Sequence, residues 1–353
     1  MESKATIYDI AKATGFSAVT VHRALSNKGR ISPKTKELIL KTAKELGYKA
    51  NPAAQGLHRQ QIKLSAILFC PVEEYVDAII KGIAASGAEL EKYNVSVDIH
   101  KIPYTASREC LHTACTLIRE ICEEGCHGII LFLSSMLEET EELVALADEL
   151  AEKNIPIATV ANDIPGIRSV IHVGVDARMA GSMAAELLSF TCTGKDVALL
   201  VTSNTSPVNM EYISGFRAFA GEHVFSGIRI YEHYDDREMV IETTKRMLTE
   251  NPGLSGIYMT TASSALACRC ILEMEKKGLT VITTDLLTDT PELLRQKAAC
   301  AVIFQNPFRQ GKNVVRFLYN YITGGSSTGL HLISPEILLS SNVTAYLGED
   351  NRS

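Results

Sequence analysis

From Leu64 onward the chain alternates short apolar runs with longer segments of helical periodicity, and that alternation leaves few architectures open. The runs are Leu64–Phe69, Val95–His100, Gly128–Leu133, Pro156–Val160, Asp196–Val201, Gly227–Tyr231, Gly256–Met259, Thr280–Thr283 and Cys300–Phe304. Helical patterns such as Tyr75–Tyr93, Met179–Phe190, Met210–Ala220 and Pro307–Thr323 fill most of the gaps. Strands separated by helices of this length imply right-handed crossovers and parallel sheets. About 285 residues exceed one comfortable core, so two α/β lobes are expected. Open parallel sheets bind ligands beyond the carboxyl ends of their strands, which makes a cleft between the lobes the natural site.

The first sixty residues differ in charge. They hold 11 Lys/Arg against 4 Asp/Glu, a net of +7, so the remainder of a chain of net charge −6 carries −13. A basic segment on an acidic body can sit on phosphates while the body stays off the polyanion. Thr6-Ile7-Tyr8-Asp9 reads as a capping box opening a helix with Ile7, Ile10 and Ala11 on one face, closed at Gly15. Ser17 caps a second helix with Val21, Ala24 and Leu25 inward. Ser32-Pro33 opens a third, whose apolar face is Ile39, Leu40, Ala43 and Leu46. Two short helices joined by a Gly-containing turn form the helix-turn-helix layout, whose second helix reads the major groove with its N-terminal half.

The run from Ala5 to Leu57 resembles the DNA-binding head of the LacI/GalR family of bacterial transcription regulators. The landmarks in register are Thr6-Ile7, Asp9-Ile10-Ala11, Gly15, Ser17, Thr20-Val21, Arg23, Leu25, Ser32, Leu46-Gly47-Tyr48, Asn51 and Leu57. The resemblance implies that Ala18 and Val19 occupy base-reading places and that Arg23 reaches a base edge. Thr20, Asn27, Arg30 and Tyr48 become phosphate or structural contacts, and Thr6, Ser17, Asn51 and Ala54 complete the DNA-facing set. His22 departs from the pattern, which usually has Ser before this Arg; its ring can meet DNA or face solvent. In the family, the segment matching Asn51–Arg59 becomes a hinge helix only on DNA, and its leucine, here Leu57, wedges into the minor groove. Alone, nine residues including Gly56 are too few to hold a helix.

The resemblance continues through the body. Asn154–Val160, Val173-Gly174-Val175-Asp176 with Ala180-Gly181, Gly215-Phe216-Arg217 and Gln305-Asn306-Pro307 with Gln310-Gly311 are similar to motifs of the type I periplasmic-binding-protein fold. The expected fold is thus a small all-α helix-turn-helix head (1–50), a hinge helix or linker (51–62), and a two-lobed α/β body with parallel sheets (63–348). The expected lobe boundaries are 63–163 with 296–326, and 164–295 with 327–348.

Sugar-binding relatives bond hydroxyl groups from residues matching Asp163, Asp285 and Gln305, a task that suits carboxylates and amides because each takes two hydroxyls in fixed orientation. Tyr75, Tyr212 and Ser263 complete the expected effector set. Two of these are departures: Tyr212 stands where the family has an arginine that clamps sugar oxygens, and Ser263 where it has an asparagine. Losing the guanidinium fork points to an effector less anionic than a sugar phosphate, or to one bound differently, unless Arg168 or Arg178 compensates. Asp176 reads as a helix cap.

The nine cysteines contain no Cys-x-x-Cys pair. Cys115, Cys122 and Cys126 fall on one apolar stripe with Leu111, Ile118 and Ile121, so they read as core thiols rather than metal ligands. No phosphate loop, nucleophile elbow or His-Glu-x-x-His occurs, and no signal segment or membrane-length apolar run is present. The expectation is a cytoplasmic, homodimeric repressor without cofactor, metal or catalytic residues. Its two heads read a pseudo-palindromic operator on double-stranded DNA, and a small carbohydrate-like effector releases it. The alternatives are a repressor tightened by a corepressor or a phosphoprotein, and, from another class, a DNA-tethered sugar-processing enzyme. Replacing Arg23 with Ala removes a bidentate guanine reader worth about 1–3 kcal/mol. Site selection from randomised DNA is expected to show lost preference at one base pair per half-site; unchanged preference refutes the role.

Overall fold

The computed structural model describes residues 6–25, 31–46, 48, 61–105, 107–134, 140–221 and 224–347. The chain divides into two compact units, Met1–Gln60 and Gln61–Ser353. In the first, α1 (Ile7–Thr14), α2 (Ala18–Leu25) and α3 (Pro33–Glu45) pack around Ile10, Val21, Ala24, Ile39 and Ala43. Thr6 accepts from the Asp9 amide at 3.3 Å while the Asp9 carboxylate accepts from the Thr6 amide at 2.8 Å, a complete capping box. Gly15 closes α1 at φ 72°, a backbone conformation that glycine adopts without strain. Ser17 accepts from the Thr20 amide and Ser32 from the Thr35 amide, starting α2 and α3. Leu40 and Leu46, expected in the core, are exposed. The unit is small enough that α3 buries one narrow stripe, Ile39 and Ala43, and residues a quarter-turn away stay outside it.

The second unit carries two six-stranded sheets. The first contains β1 (Ile62–Leu68), β2 (Val95–Lys101), β3 (Gly128–Phe132), β4 (Ile157–Val160), β5 (Ile171–Val175) and β11 (Gly329–Ile333). Its order is β2-β1-β3-β4-β5-β11, and every pairing is parallel. The second contains β6 (Asp196–Val201), β7 (Gly227–Glu232), β8 (Gly256–Met259), β9 (Thr280–Thr284), β10 (Ala301–Phe304) and β12 (Glu336–Leu338). Its order is β7-β6-β8-β9-β10-β12, parallel except for the last pair. One topology is therefore used twice, and each sheet is cored on both faces.

The strand pairing moves the expected lobe boundaries. Ile171 pairs with Ala158 and Gly329 with Ile171, so β5 and β11 extend the first sheet beyond 163 and 326. Ala301 pairs with Ile282, so β10 belongs to the second sheet although 296–326 was expected in the first lobe. The chain passes between lobes three times, at 176, at 305–306 and at 334–335, each time just after a strand has finished pairing.

Two helix pairs, one per lobe, approach backbone to backbone. In the first lobe α4 (Glu73–Leu90) crosses α12 (Pro307–Ile322); in the second α7 (Ala177–Thr191) crosses α8 (Pro207–Ala220). A Cβ on Gly82 would overlap the Phe308 carbonyl, and one on Gly311 the Ile79 carbonyl. In the other pair, Gly181 faces the Tyr212 carbonyl and Gly215 the Arg178 carbonyl with equally little room. The obstacle is main chain, so neither pair can accommodate a methyl by rotating a side chain. Gly215→Ala and Gly311→Ala are each expected to cost about 3 kcal/mol, measured by denaturant unfolding. A loss below about 0.5 kcal/mol would mean the crossing is looser than described.

Candidate effector cleft and DNA-facing helix

The carboxyl ends of both sheets face a common cleft, and the residues just past each strand line it. Asp285 follows β9 and Gln305 follows β10; the Gln305 amide donates to Asp285 Oδ1 at 2.8 Å. Asp285 is 5% exposed, and burial pushes its carboxyl up to about 7, against the lowering effect of the Gln305 bond. Asp235 follows β7 through a turn in which Tyr234 and Asp235 both have positive φ. Burial raises its carboxyl to about 6, partly offset by the Thr202 hydroxyl, which donates at 3.5 Å. Thr260 Oγ1 donates to Asn209 Oδ1 at 2.7 Å, from the end of β8 to the first turn of α8.

One tyrosine from each lobe completes this wall. Tyr75, on α4, accepts from Gln310 Nε2 at 3.3 Å and packs 5.8 Å from the Phe132 ring. Tyr212, on α8, is 2% exposed, sits edge-on to Tyr258, and its hydroxyl has no partner among the described residues. Burial raises both phenols well above the usual tyrosine value. Between these groups the cleft keeps about 90 Å³. The lobes also meet at its rim, where the Thr288 amide and hydroxyl donate to Glu74 Oε2 at 2.7 and 2.9 Å.

The structure thus brings Tyr75, Tyr212, Asp285 and Gln305 together. Asp163 lies apart, lining an adjoining cavity of about 750 Å³ that shares Ala161, Asn162 and Val208 with the inner cleft. Ser263 lines neither; its amide donates to Thr261 Oγ1 as the chain turns into α10 (Ser264–Glu273), and the adjacent Thr260 and Thr261 face the cleft instead. Asp176 caps α7, accepting from the Met179 amide at 2.8 Å, and Arg178 lines the larger cavity. Arg168 lies away from both, beside Lys153 and Tyr321. Asp235, past the end of β7, Thr202, past the end of β6, and Asn209, in the first turn of α8, escape sequence reasoning, because none of them lies in a motif. The signal available was a carboxylate a few residues past a strand, the same signal that marks Asp285.

The thiols are mostly interior. Cys110, Cys115, Cys126, Cys268 and Cys270 are buried and Cys122 half-buried, and burial raises Cys115 and Cys122 to about 11. Cys126 is not on the helical stripe expected for it: α5 (Ser107–Glu123) ends first, and Cys126 sits in the turn before β3. Among the described residues no helix is long and apolar enough to cross a membrane.

In the head, Val19 is 61% exposed and Arg23 is exposed, while Ala18 and Thr20 are half-buried at the start of α2. Ser17 and Thr20 bond each other through their hydroxyls at 2.9 Å, and Thr6 is held in its capping box. Tyr48 is half-buried against the small core, its amide donating to the Ala43 carbonyl. The His22 side chain and Asn27, Arg30, Asn51, Ala54 and Leu57 lie outside the described residues.

Residues 72–326 match the family model described as periplasmic binding protein domain, and residues 6–51 match bacterial regulatory proteins, lacI family. Among curated proteins, the chain is 28% identical to the HTH-type transcriptional regulator DegA of Bacillus subtilis, over 68% of this chain and 65% of that protein. It is 23% identical to catabolite control protein A of Priestia megaterium, over 78% of this chain and 79% of that protein. Its fold is similar to GanP, a glucose-galactose binding protein from Geobacillus stearothermophilus, at TM-score 0.68 and 22% identity, over 80% of this chain and 99% of the other. A putative LacI transcriptional regulator from Bacteroides fragilis aligns at TM-score 0.67 and 18% identity, over 81% and 100%. The class defined by fold and head is a regulator-type chain, a helix-turn-helix head followed by a two-lobed periplasmic-binding-protein-like body. The chain belongs to the periplasmic binding protein domain family over residues 72–326 and carries, over residues 6–51, a head of the lacI family of bacterial regulatory proteins.

Asp285 supplies a pH test of the cleft. Its folded value, about 7, lies above the ordinary 3.8, so between these pH values the folded state holds a proton that the unfolded state lacks. This contribution to stability falls as pH rises from about 4 to 7 and levels off above. Asp285→Asn is expected to be more stable than the parent at pH 8, by up to about 4 kcal/mol, with the difference vanishing near pH 4. A difference independent of pH, followed by thermal unfolding, would contradict a buried titrating carboxyl.

Proposed function

We propose that the protein is a homodimeric transcriptional repressor, held on a pseudo-palindromic operator by its two heads and released when a neutral, carbohydrate-like effector enters the cleft. The observation that carries the effector role is the convergence of Asp285, Gln305 and Asp235, from strand ends, with Asn209, from the first turn of α8, on one space in which a hydroxylated ligand can be bonded. Buried carboxyl and amide groups aimed at one small space discriminate strongly in favour of hydroxyls, because an analogue lacking them leaves the groups unpaired. Tyr212 in place of a basic residue, and the absence of a cation from the inner wall among the described residues, favour a neutral ligand over a phosphorylated one. The glucose-galactose binding protein that shares the fold supports the sugar class by analogy.

Homodimerisation follows from what a palindromic site requires, since protein two-fold symmetry is mirrored in the two half-sites. Ligand binding draws the lobes together across the cleft, and a coupling of about 1–3 kcal/mol gives a 5- to 150-fold change in operator affinity. The test is a thermal-shift screen of the full chain against sugars, polyols and purines, followed by operator binding with each hit. A neutral polyhydroxylated hit is expected to raise the melting temperature and weaken operator binding. Asp285→Ala is expected to lose the response while keeping operator affinity. A retained response places the effector elsewhere, and tightened operator binding makes the ligand a corepressor.

A further inference from the structure

The inner cleft is small and largely self-satisfied. Asp285 pairs with Gln305, Asn209 with Thr260, and Tyr75 with Gln310. Its volume of about 90 Å³ is well below the roughly 300–1,000 Å³ of ordinary ligand pockets. The adjoining cavity, about 750 Å³, falls inside that range and opens from the same three residues, Ala161, Asn162 and Val208. The two are compartments of one cleft.

The larger compartment has unfilled polar capacity of its own. Ser206 precedes α8 in the N-cap position, yet its side chain makes no cap bond. It is 5% exposed and its hydroxyl has no partner among the described residues. Pro207, the first residue of α8, has no N–H and the Met210 amide donates to the Ser206 carbonyl, so the Val208 and Asn209 amides are left without an acceptor within the helix, beside the buried free hydroxyl. Asp163, exposed, uses one oxygen on the Ile164 amide and keeps the other. The opposite wall is apolar: Leu330 and Leu332, on the edge strand β11, are 63% and 49% exposed, unusually high for leucines lining a cavity. Among the described residues three carboxylates, Asp163, Asp176 and Glu211, line it against one arginine, Arg178, which argues against an anionic occupant.

We infer that the effector is a neutral glycoside rather than a free monosaccharide. Its sugar hydroxyls reach Asp285 and Gln305, its linking oxygens lie near Ser206 and Asp163, and an apolar aglycone covers Leu330 and Leu332. The inference rests on the cleft being the effector site. It adds the size and polarity of the ligand: a hydroxylated end inward and an apolar end outward.

The test compares parent hexoses and pentoses with their 4-nitrophenyl α- and β-glycosides, by calorimetry on the full-length protein. At least one glycoside is expected to bind ten-fold or more tightly than its parent sugar. Leu332→Thr and, separately, the more exposed Leu330→Thr keep strand propensity and are expected to remove most of that gain while sparing the parent sugar. Equal affinity for sugar and glycoside, or a gain that survives both substitutions, overturns the inference and leaves the cleft a monosaccharide site. If neither class binds and Asp285→Ala changes nothing, the sugar reading of the cleft falls, and this inference with it.

Discussion

Four glycines without side chains hold the body in shape. Gly82 and Gly311 let α4 and α12 touch through their main chains, and Gly181 and Gly215 do the same for α7 and α8. Contact this close fixes both the separation and the rotation of each pair, because any slippage drives a carbonyl into a neighbouring backbone. The cleft inherits that precision. Gln310, beside Gly311, is placed to donate both to Tyr75 on the facing helix and to the Gln305 carbonyl at the lobe crossing. Tyr212, whose own carbonyl meets Gly181, is buried by the same crossing in the second lobe. Each lobe thus presents one tyrosine from a glycine-locked helix.

Strand ends supply the remaining groups through strained backbone. Ala161, Asp235, Asp285 and Asn306 each have positive φ immediately or shortly after a parallel strand. For residues with a side chain that conformation costs roughly 1–3 kcal/mol, and it persists where surrounding structure over-determines it. Here it turns the chain sharply enough for polar side chains to face the opposite lobe. The left-handed Asn306 also caps α12, accepting from the Arg309 amide at 3.1 Å, so the return into the first lobe is fixed at the residue after Gln305.

Much of this is legible in the sequence, and the misplaced strands share one cause. Local signals held: the Thr6–Asp9 capping box, the Gly15 turn, the Asp176 cap and the apolar runs lie on the elements they predicted. Periodicity says that a segment is a strand but not which sheet it joins, since partners are chosen across hundreds of residues. Hence β5, β10 and β11 pair outside the lobes expected for them, although β5 and β10 adjoin the Val173–Asp176 and Gln305–Pro307 motifs. Ser263 was placed by register with a family asparagine, whereas the turn into α10 presents Thr260 and Thr261 to the cleft. Leu40 and Leu46 failed for a simpler reason, because a three-helix head offers α3 too little partner surface to bury every apolar residue.

In the proposed function, ligand enters between the lobes and replaces the bond that now joins the second lobe's Asp285 to Gln305. A crystal structure of the protein with a ligand that shifts its operator affinity tests this most directly. Ligand oxygens are expected within hydrogen-bond distance of both Asp285 and Gln305, with their mutual 2.8 Å bond opened or shared. A responsive ligand bound elsewhere, with that pair intact and the cleft unchanged, would contradict it.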